Sequence, residues 1–217
     1  MIIIIMSPLL LSVSLLVLIF DGRPIFYKQD RVGFRFKTTG HPSSSFDGNY
    51  YSQSLIAKKS NGAADNEFDW TVNLFWTGSQ SGSYSGSGNS DYYEYGVMNL
   101  IMSGSQIEGG FARSEDIYLP FFDGGWWSVM ATIDYDALNT GSLFAANRID
   151  DKVGFSGSDS IGATTQLWKS TDTAFFPSSS GLVVDTVTYL PLTGALQEVR
   201  YWDEPLSESL FYDYVMN

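Results

Sequence analysis

The sequence predicts an all-β fold, a sandwich of two antiparallel sheets. Short runs of alternating or aromatic-rich residues recur from residue 46 onward, each bounded by Gly, Ser, Asn or Asp. Aromatic residues make up 16% of the chain and charged residues only 17%, which suits pleated strands around an aromatic core and argues against disorder. A length of 217 residues fits one such domain with an appendage.

The appendage is N-terminal. Residues 1–20 carry no charge, and as a helix they are just long enough to cross a bilayer core. Ser7 and Pro8 interrupt the run, and Pro8, lacking an N–H, kinks it. Arg23, Lys28, Arg31, Arg35 and Lys37 follow the apolar run rather than precede it, unlike a secretory signal, and the positive-inside rule keeps that flank cytoplasmic. The expectation is an N-terminal hydrophobic helix within a hydrophobic and basic segment over 1–37, serving as membrane anchor, re-entrant helix or arm against a neighbouring subunit. Residues 38–45 read as a linker and 46–217 as the sandwich.

Charge divides at the same place. Residues 1–37 hold five bases against two acids, a net of +3, and the rest hold seven bases against 22 acids, a net of −15. An acidic domain is repelled by phosphate backbones, so nucleic acid is not expected as a partner. Cysteine is absent, which removes disulfides and thiolate metal sites.

Along the sandwich, Phe68–Trp76 alternates clearly, with Phe68, Trp70, Val72, Leu74 and Trp76 on one face and Asp69, Thr71 and Asn73 on the other. Further strands are expected at Tyr95–Met102, at Trp126–Tyr135 with Trp127, Val129, Ala131, Ile133 and Tyr135 on one side, at Ser142–Asn147 and at Leu182–Tyr189. In Gly194–Trp202, Ala195, Gln197, Val199 and Tyr201 share one face and Leu196, Glu198, Arg200 and Trp202 the other. Gly78–Ser90 reads as a loop of high backbone entropy. After Pro205 a short C-terminal helix is expected, with Ser207 as N-cap.

Four landmarks in order resemble the laminin-G-like domains of the concanavalin A-like class: Ser45–Tyr51, Phe68–Trp76, Gly125–Val129, and Gly194–Trp202 followed by Pro205-Leu206-Ser207. The resemblance implies a two-sheet jelly roll whose first and last strands are joined. Arg148–Ser180 departs from the pattern, and strand order there is left open. Residues 7–37 resemble the start of bacterial sugar transferases that load a sugar phosphate onto a polyprenol phosphate, through Gly22, Pro24, Ile25, Phe26, Tyr27, Gln29, Arg31, Val32 and Gly33. That family's catalytic part does not follow, so its activity is not carried over.

No catalytic constellation emerges. His41, the one histidine, falls in the linker, where no base is held in position. Glu115 and Asp116 are adjacent and point to opposite faces, unlike the alternating carboxylates of glycosidases on such scaffolds. Carbohydrate binding would use exposed aromatics, and the candidates are Tyr84, Tyr92, Tyr93 and Tyr95 around the glycine-rich loop and Trp126, which should face away from Trp127. A calcium ion would use loop carboxylates, with Asp123, Asp134 and Asp136 as candidates and Asp150, Asp151 and Asp159 as further acids. Leu190-Pro191-Leu192-Thr193-Gly194 matches a sortase pattern but precedes a strand, and reads as a turn. The expectation is a non-catalytic module at a virion or cell surface that recognises a glycan or protein or serves assembly, with homo-oligomer or lattice neighbours, or a membrane through residues 1–20, as further partners. The alternative is a carbohydrate-active enzyme on this scaffold or a relic of the transferase.

Overall fold

The structure, a computed structural model, describes residues 29–39, 51–59, 68–76, 94–103, 111–134, 140–162, 174–175, 182–184, 187–202 and 207–217. Among these the strands are β1 (Gln29–Thr38), β2 (Tyr51–Lys59), β3 (Phe68–Trp76), β4 (Gly96–Ser103), β5 (Phe111–Arg113), β6 (Ile117–Leu119), β7 (Trp127–Asp134), β8 (Thr140–Ile149), β9 (Lys152–Ile161), β10 (Ala174–Phe175), β11 (Leu182–Val184), β12 (Val187–Pro191) and β13 (Gly194–Trp202), followed by the helix α1 (Glu208–Met216).

Two sheets form the expected sandwich. The smaller runs β13-β1-β7-β8-β9, and the larger runs β11-β12-β2-β3-β4-β5, with β10 on β2 and β6 on β4. All pairings are antiparallel except β12 with β2, where Leu190 lies opposite Gln53 and Pro191 opposite Ser54. Strands β5 and β6 act as one broken edge strand. Between them the Ser114 N–H donates to the Leu100 carbonyl, and the Ser114 hydroxyl accepts from the Leu100 N–H, so a side chain completes the ladder.

Apolar side chains at alternate positions of both sheets build the core. Trp70, Val72 and Leu74 of β3, Met98, Leu100 and Met102 of β4, and Trp127, Val129 and Ala131 of β7 are all sequestered there. Trp76 packs against it from a half-buried position, while the Phe68 side chain lies outside the described set.

The boundary at residue 46 is corrected. Gln29–Thr38 is the second strand of the smaller sheet, held between β13 and β7. Val32, Phe34 and Phe36 alternate into the core with no exposure, and Arg31, Gly33 and Arg35 alternate outward. Gln29, Arg31, Val32 and Gly33 of the transferase-like run are thus strand residues of the sandwich, and part of the basic flank is one face of a sheet. The pairing of β1 with β13 joins the first and last described strands, whereas Tyr51, the end of the stretch read as the opening strand, begins β2 in the other sheet. Residues 1–28, with the expected N-terminal helix, lie outside the described residues. Among those described, no helix is long and apolar enough to cross a membrane.

The unbroken alternation read for Gly194–Trp202 changes, and Val199 is 47% exposed. The register of β1 with β13 shifts between Gly33 and Arg35, leaving an extra residue in β13, and Glu198 there has φ 54°. This bulge resets the alternation half-way along the strand. Arg148–Ile161, left open in the sequence, is the β8–β9 hairpin, closed by the two residues Asp150 and Asp151. The helix begins as expected: the Ser207 hydroxyl accepts from the Leu210 N–H. Phe211 and Val215 bury against Met130 and Ala146 on the outer face of the smaller sheet. The Leu190–Gly194 segment carries the chain from the larger sheet to the smaller. The Thr193 N–H donates to Gln53 Oε1 at 3.0 Å, and a Cβ on Gly194 would lie 2.1 Å from the Lys37 carbonyl oxygen.

Candidate functional site

A cleft of about 530 Å³ opens on the outer face of the smaller sheet, beside the end of α1. Four local structures meet there.

The first is the turn before β7. The Asp123 N–H donates to the Pro120 carbonyl, Gly124 has φ 74°, and the Gly125 N–H donates to Asp123 Oδ1 at 2.7 Å. The same oxygen accepts from the Trp127 indole N–H at 3.2 Å. Asp123 therefore fixes the entry into β7, and the alternation of the strand does the rest. Trp127 goes into the core edge-on to Phe121, with ring centroids 4.7 Å apart. Trp126 goes outward onto the cleft, 40% exposed.

The second is the β8–β9 turn. Asp150 and Asp151 have φ 49° and 59°, both in the left-handed region. That is the geometry of a two-residue type I′ hairpin, where Asn-Gly is the usual pair. Arg148, at the end of β8, pairs with the Asp151 carboxylate. Asp150 also lines the cleft, and among the described residues it has no hydrogen-bond or ion-pair partner.

The third is the C-terminus of α1. Its last turn holds no basic residue, so its open carbonyls need donors from elsewhere. Arg35 on β1 donates through Nη2 to the Tyr214 carbonyl at 3.0 Å and the Val215 carbonyl at 3.4 Å. Arg148 donates through Nη1 to the Met216 carbonyl at 2.7 Å. The fourth is the β13 bulge. Glu198 Oε1 accepts from Arg35 Nη1 at 3.3 Å and from Gln197 Nε2 at 3.1 Å, and Arg35 Nε reaches the Ser128 hydroxyl at 3.3 Å. Every nitrogen of the Arg35 guanidinium is thereby used. Arg35 and Arg200 also lie over the Tyr214 ring, 5.3 Å and 4.7 Å from its centroid. Burial, then Glu198, raises the Tyr214 phenol above its ordinary range, with Arg35 and Arg200 opposing.

What the cleft presents is thus an indole, carboxylate oxygens from Asp150 and Asp151, and the Gln197 amide. Both terminal nitrogens of its two guanidiniums, Arg35 and Arg148, are engaged within the fold. Such a set accepts hydroxyl donors beside a flat apolar face.

Of the described residues singled out from sequence, Trp126, Asp150 and Asp151 combine exposure with the cleft, and Trp126 is the aromatic among them. Tyr95 is half-buried on the other sheet, its ring 4.9 Å from that of Tyr118. Tyr84, Tyr92, Tyr93, Asp136 and His41 lie outside the described residues. The calcium set comes apart: Asp123 precedes β7 and Asp134 ends it, and eight strand residues put them roughly 20 Å or more apart. Asp134 instead sits beside Arg31, whose pKa burial lowers and Asp134 raises. Asp159 Oδ2 accepts from the Glu115 N–H at 2.7 Å. Among the described residues no three acidic or histidine side chains gather as a metal cluster. Asp116 accepts from Asn99 Nδ2 and Arg113 Nη2, both at 3.1 Å. Asn99 shares a rung with Asn73 and is wholly buried, so this polar row belongs to the interior of the larger sheet's outer face. Sequence reading missed Arg35, Arg148 and Gln197. Asp150-Asp151 followed by a Lys-Val-Gly-Phe run was the available hairpin signal.

No protein-family model matches the chain, and no curated protein does. Among solved structures, the chain is similar to the CBM40 of a Ruminococcus gnavus IT-sialidase. The form bound to α2,3-sialyllactose is 12% identical with a TM-score of 0.38, over 88% of this chain and 83% of that one. A second structure of that CBM40 is 13% identical with a TM-score of 0.39, over 88% and 84%. At these values the likeness says nothing about a ligand.

Proposed function

We propose that this chain is a non-catalytic carbohydrate-binding module that docks a glycan in the cleft beside α1. One observation carries the reading: Trp126 stands 40% exposed at the wall of a polar cleft, fixed there by a strand whose next residue is locked into the core. An indole in that position offers a flat apolar face to the C–H side of a sugar ring, and the neighbouring carboxylates and amide accept its hydroxyls. The carboxylates favour this reading over catalysis, because Asp150 and Asp151 are consecutive and lie at one rim, whereas glycosidases flank the scissile bond with two.

A glycan array probed with the full chain and with W126A tests it. Hits that fall by about thirtyfold or more in W126A, with an unchanged circular dichroism spectrum, are the expected result for an aromatic at the centre of a binding site. Hits unaffected by W126A, or an array without hits, overturn it.

A further inference from the structure

The cleft described above also carries information about the charge of its ligand. Acidic sugars are held by guanidinium forks, whose paired N–H groups match a carboxylate or sulfate. Two arginines line this cleft, and both terminal nitrogens of each are already engaged within the fold. Arg35 spends Nε on Ser128, Nη1 on Glu198 and Nη2 on the last turn of α1. Arg148 spends Nη1 on the Met216 carbonyl and Nη2 on Asp151. Turning either toward an anion would leave carbonyls of the helix end without donors. The two arginines are also matched by Asp150 and Asp151, in a chain of net charge −12. An incoming anion finds no net positive field here.

The groups that remain uncommitted are of the opposite kind. Asp150 has no partner among the described residues, and Asp151 keeps one oxygen beyond its bond to Arg148. Two successive left-handed residues hold these carboxylates on a two-residue turn, whose backbone has little freedom to rearrange. Carboxylates accept strongly from hydroxyls, and adjacent acceptors suit adjacent hydroxyls.

From this we infer that the cleft selects a neutral saccharide, with its ring face on Trp126 and neighbouring hydroxyls donating to Asp150 and Asp151. The inference rests on the carbohydrate-binding reading and narrows it to uncharged glycans.

The test uses the full chain and follows tryptophan fluorescence and saturation-transfer NMR. Neutral probes are cello-, malto-, xylo-, manno- and galacto-oligosaccharides; acidic probes are sialyllactose, oligogalacturonate and heparin-derived oligosaccharides. The expected result is binding of at least one neutral probe that changes less than about twofold between low salt and 1 M NaCl. D150N/D151N should weaken it by about tenfold or more, with the melting temperature retained, since Asn also tolerates left-handed backbone. W126F should retain binding that W126A loses. Binding of acidic probes alone, weakened by salt, overturns the inference and leaves the carbohydrate-binding reading standing. Neutral binding indifferent to D150N/D151N also overturns it. Absence of binding to every probe overturns both.

Discussion

Asp150 and Asp151 both occupy backbone space that favours glycine, and the cost falls on residues whose side chains line the cleft. Relief of that strain is measurable. D151G should raise stability by up to about 1 kcal/mol in urea unfolding, because the exposed pair it loses with Arg148 is worth little. At the core end of the same region, Trp127 is wholly buried and braced by Asp123 and Phe121. W127A should cost about 3–5 kcal/mol, whereas W126A should leave stability nearly unchanged. The contrast between these neighbours was legible in the sequence, since successive strand residues face opposite ways. The role of Asp123 was not. A turn aspartate that bonds its own backbone and one that awaits a cation look alike as letters, and only the position of the Gly125 and Trp127 N–H groups separates them.

At the scale of elements, α1 is held by three separate means. Its start is capped by Ser207, its apolar side sits on Met130 and Ala146, and its end is supplied with donors by strands distant in sequence. S207A should cost about 1 kcal/mol. R35A should cost about 1.5–3 kcal/mol, as charged donors are lost from half-buried carbonyls, and amide exchange should then rise first in the last turn of α1. Alkaline pH should act at the same joint. Tyr214 donates its hydroxyl to the Glu198 carbonyl, and its phenol is raised above the usual 10. Its contribution is therefore complete below pH 10 and is lost as pH climbs through the higher folded value. The melting temperature of the wild-type protein should fall more steeply above pH 10 than that of Y214F. The capping serine was readable from sequence. The arginine contacts were not, because Arg35 and Tyr214 meet only after the sheet has formed. The bulge at Glu198 was hidden too, since Gly194–Trp202 alternates well enough on paper to suggest an unbroken strand.

For the whole molecule, the decisive element is β1. A chain beginning at residue 39 would lose the strand between β13 and β7 together with the core residues Val32, Phe34 and Phe36. We expect it to be insoluble or unfolded by circular dichroism, against a folded monomer for a chain that retains residue 29 onward. The two-layer plan was legible because β3, β7 and β13 carry clear alternation. The position of β1 was not, because Val32, Phe34 and Phe36 adjoin a long apolar run and are interleaved with arginines, so a charge pattern masked a strand pattern. The meeting of strands so distant in sequence has a temporal side. Arg31 lies opposite Trp202 in the ladder, so the smaller sheet cannot close until residues 194–202 have left the ribosome. Until then β1 exposes an open edge to every nascent neighbour, and slow, chaperone-sensitive maturation is the natural outcome of that wiring.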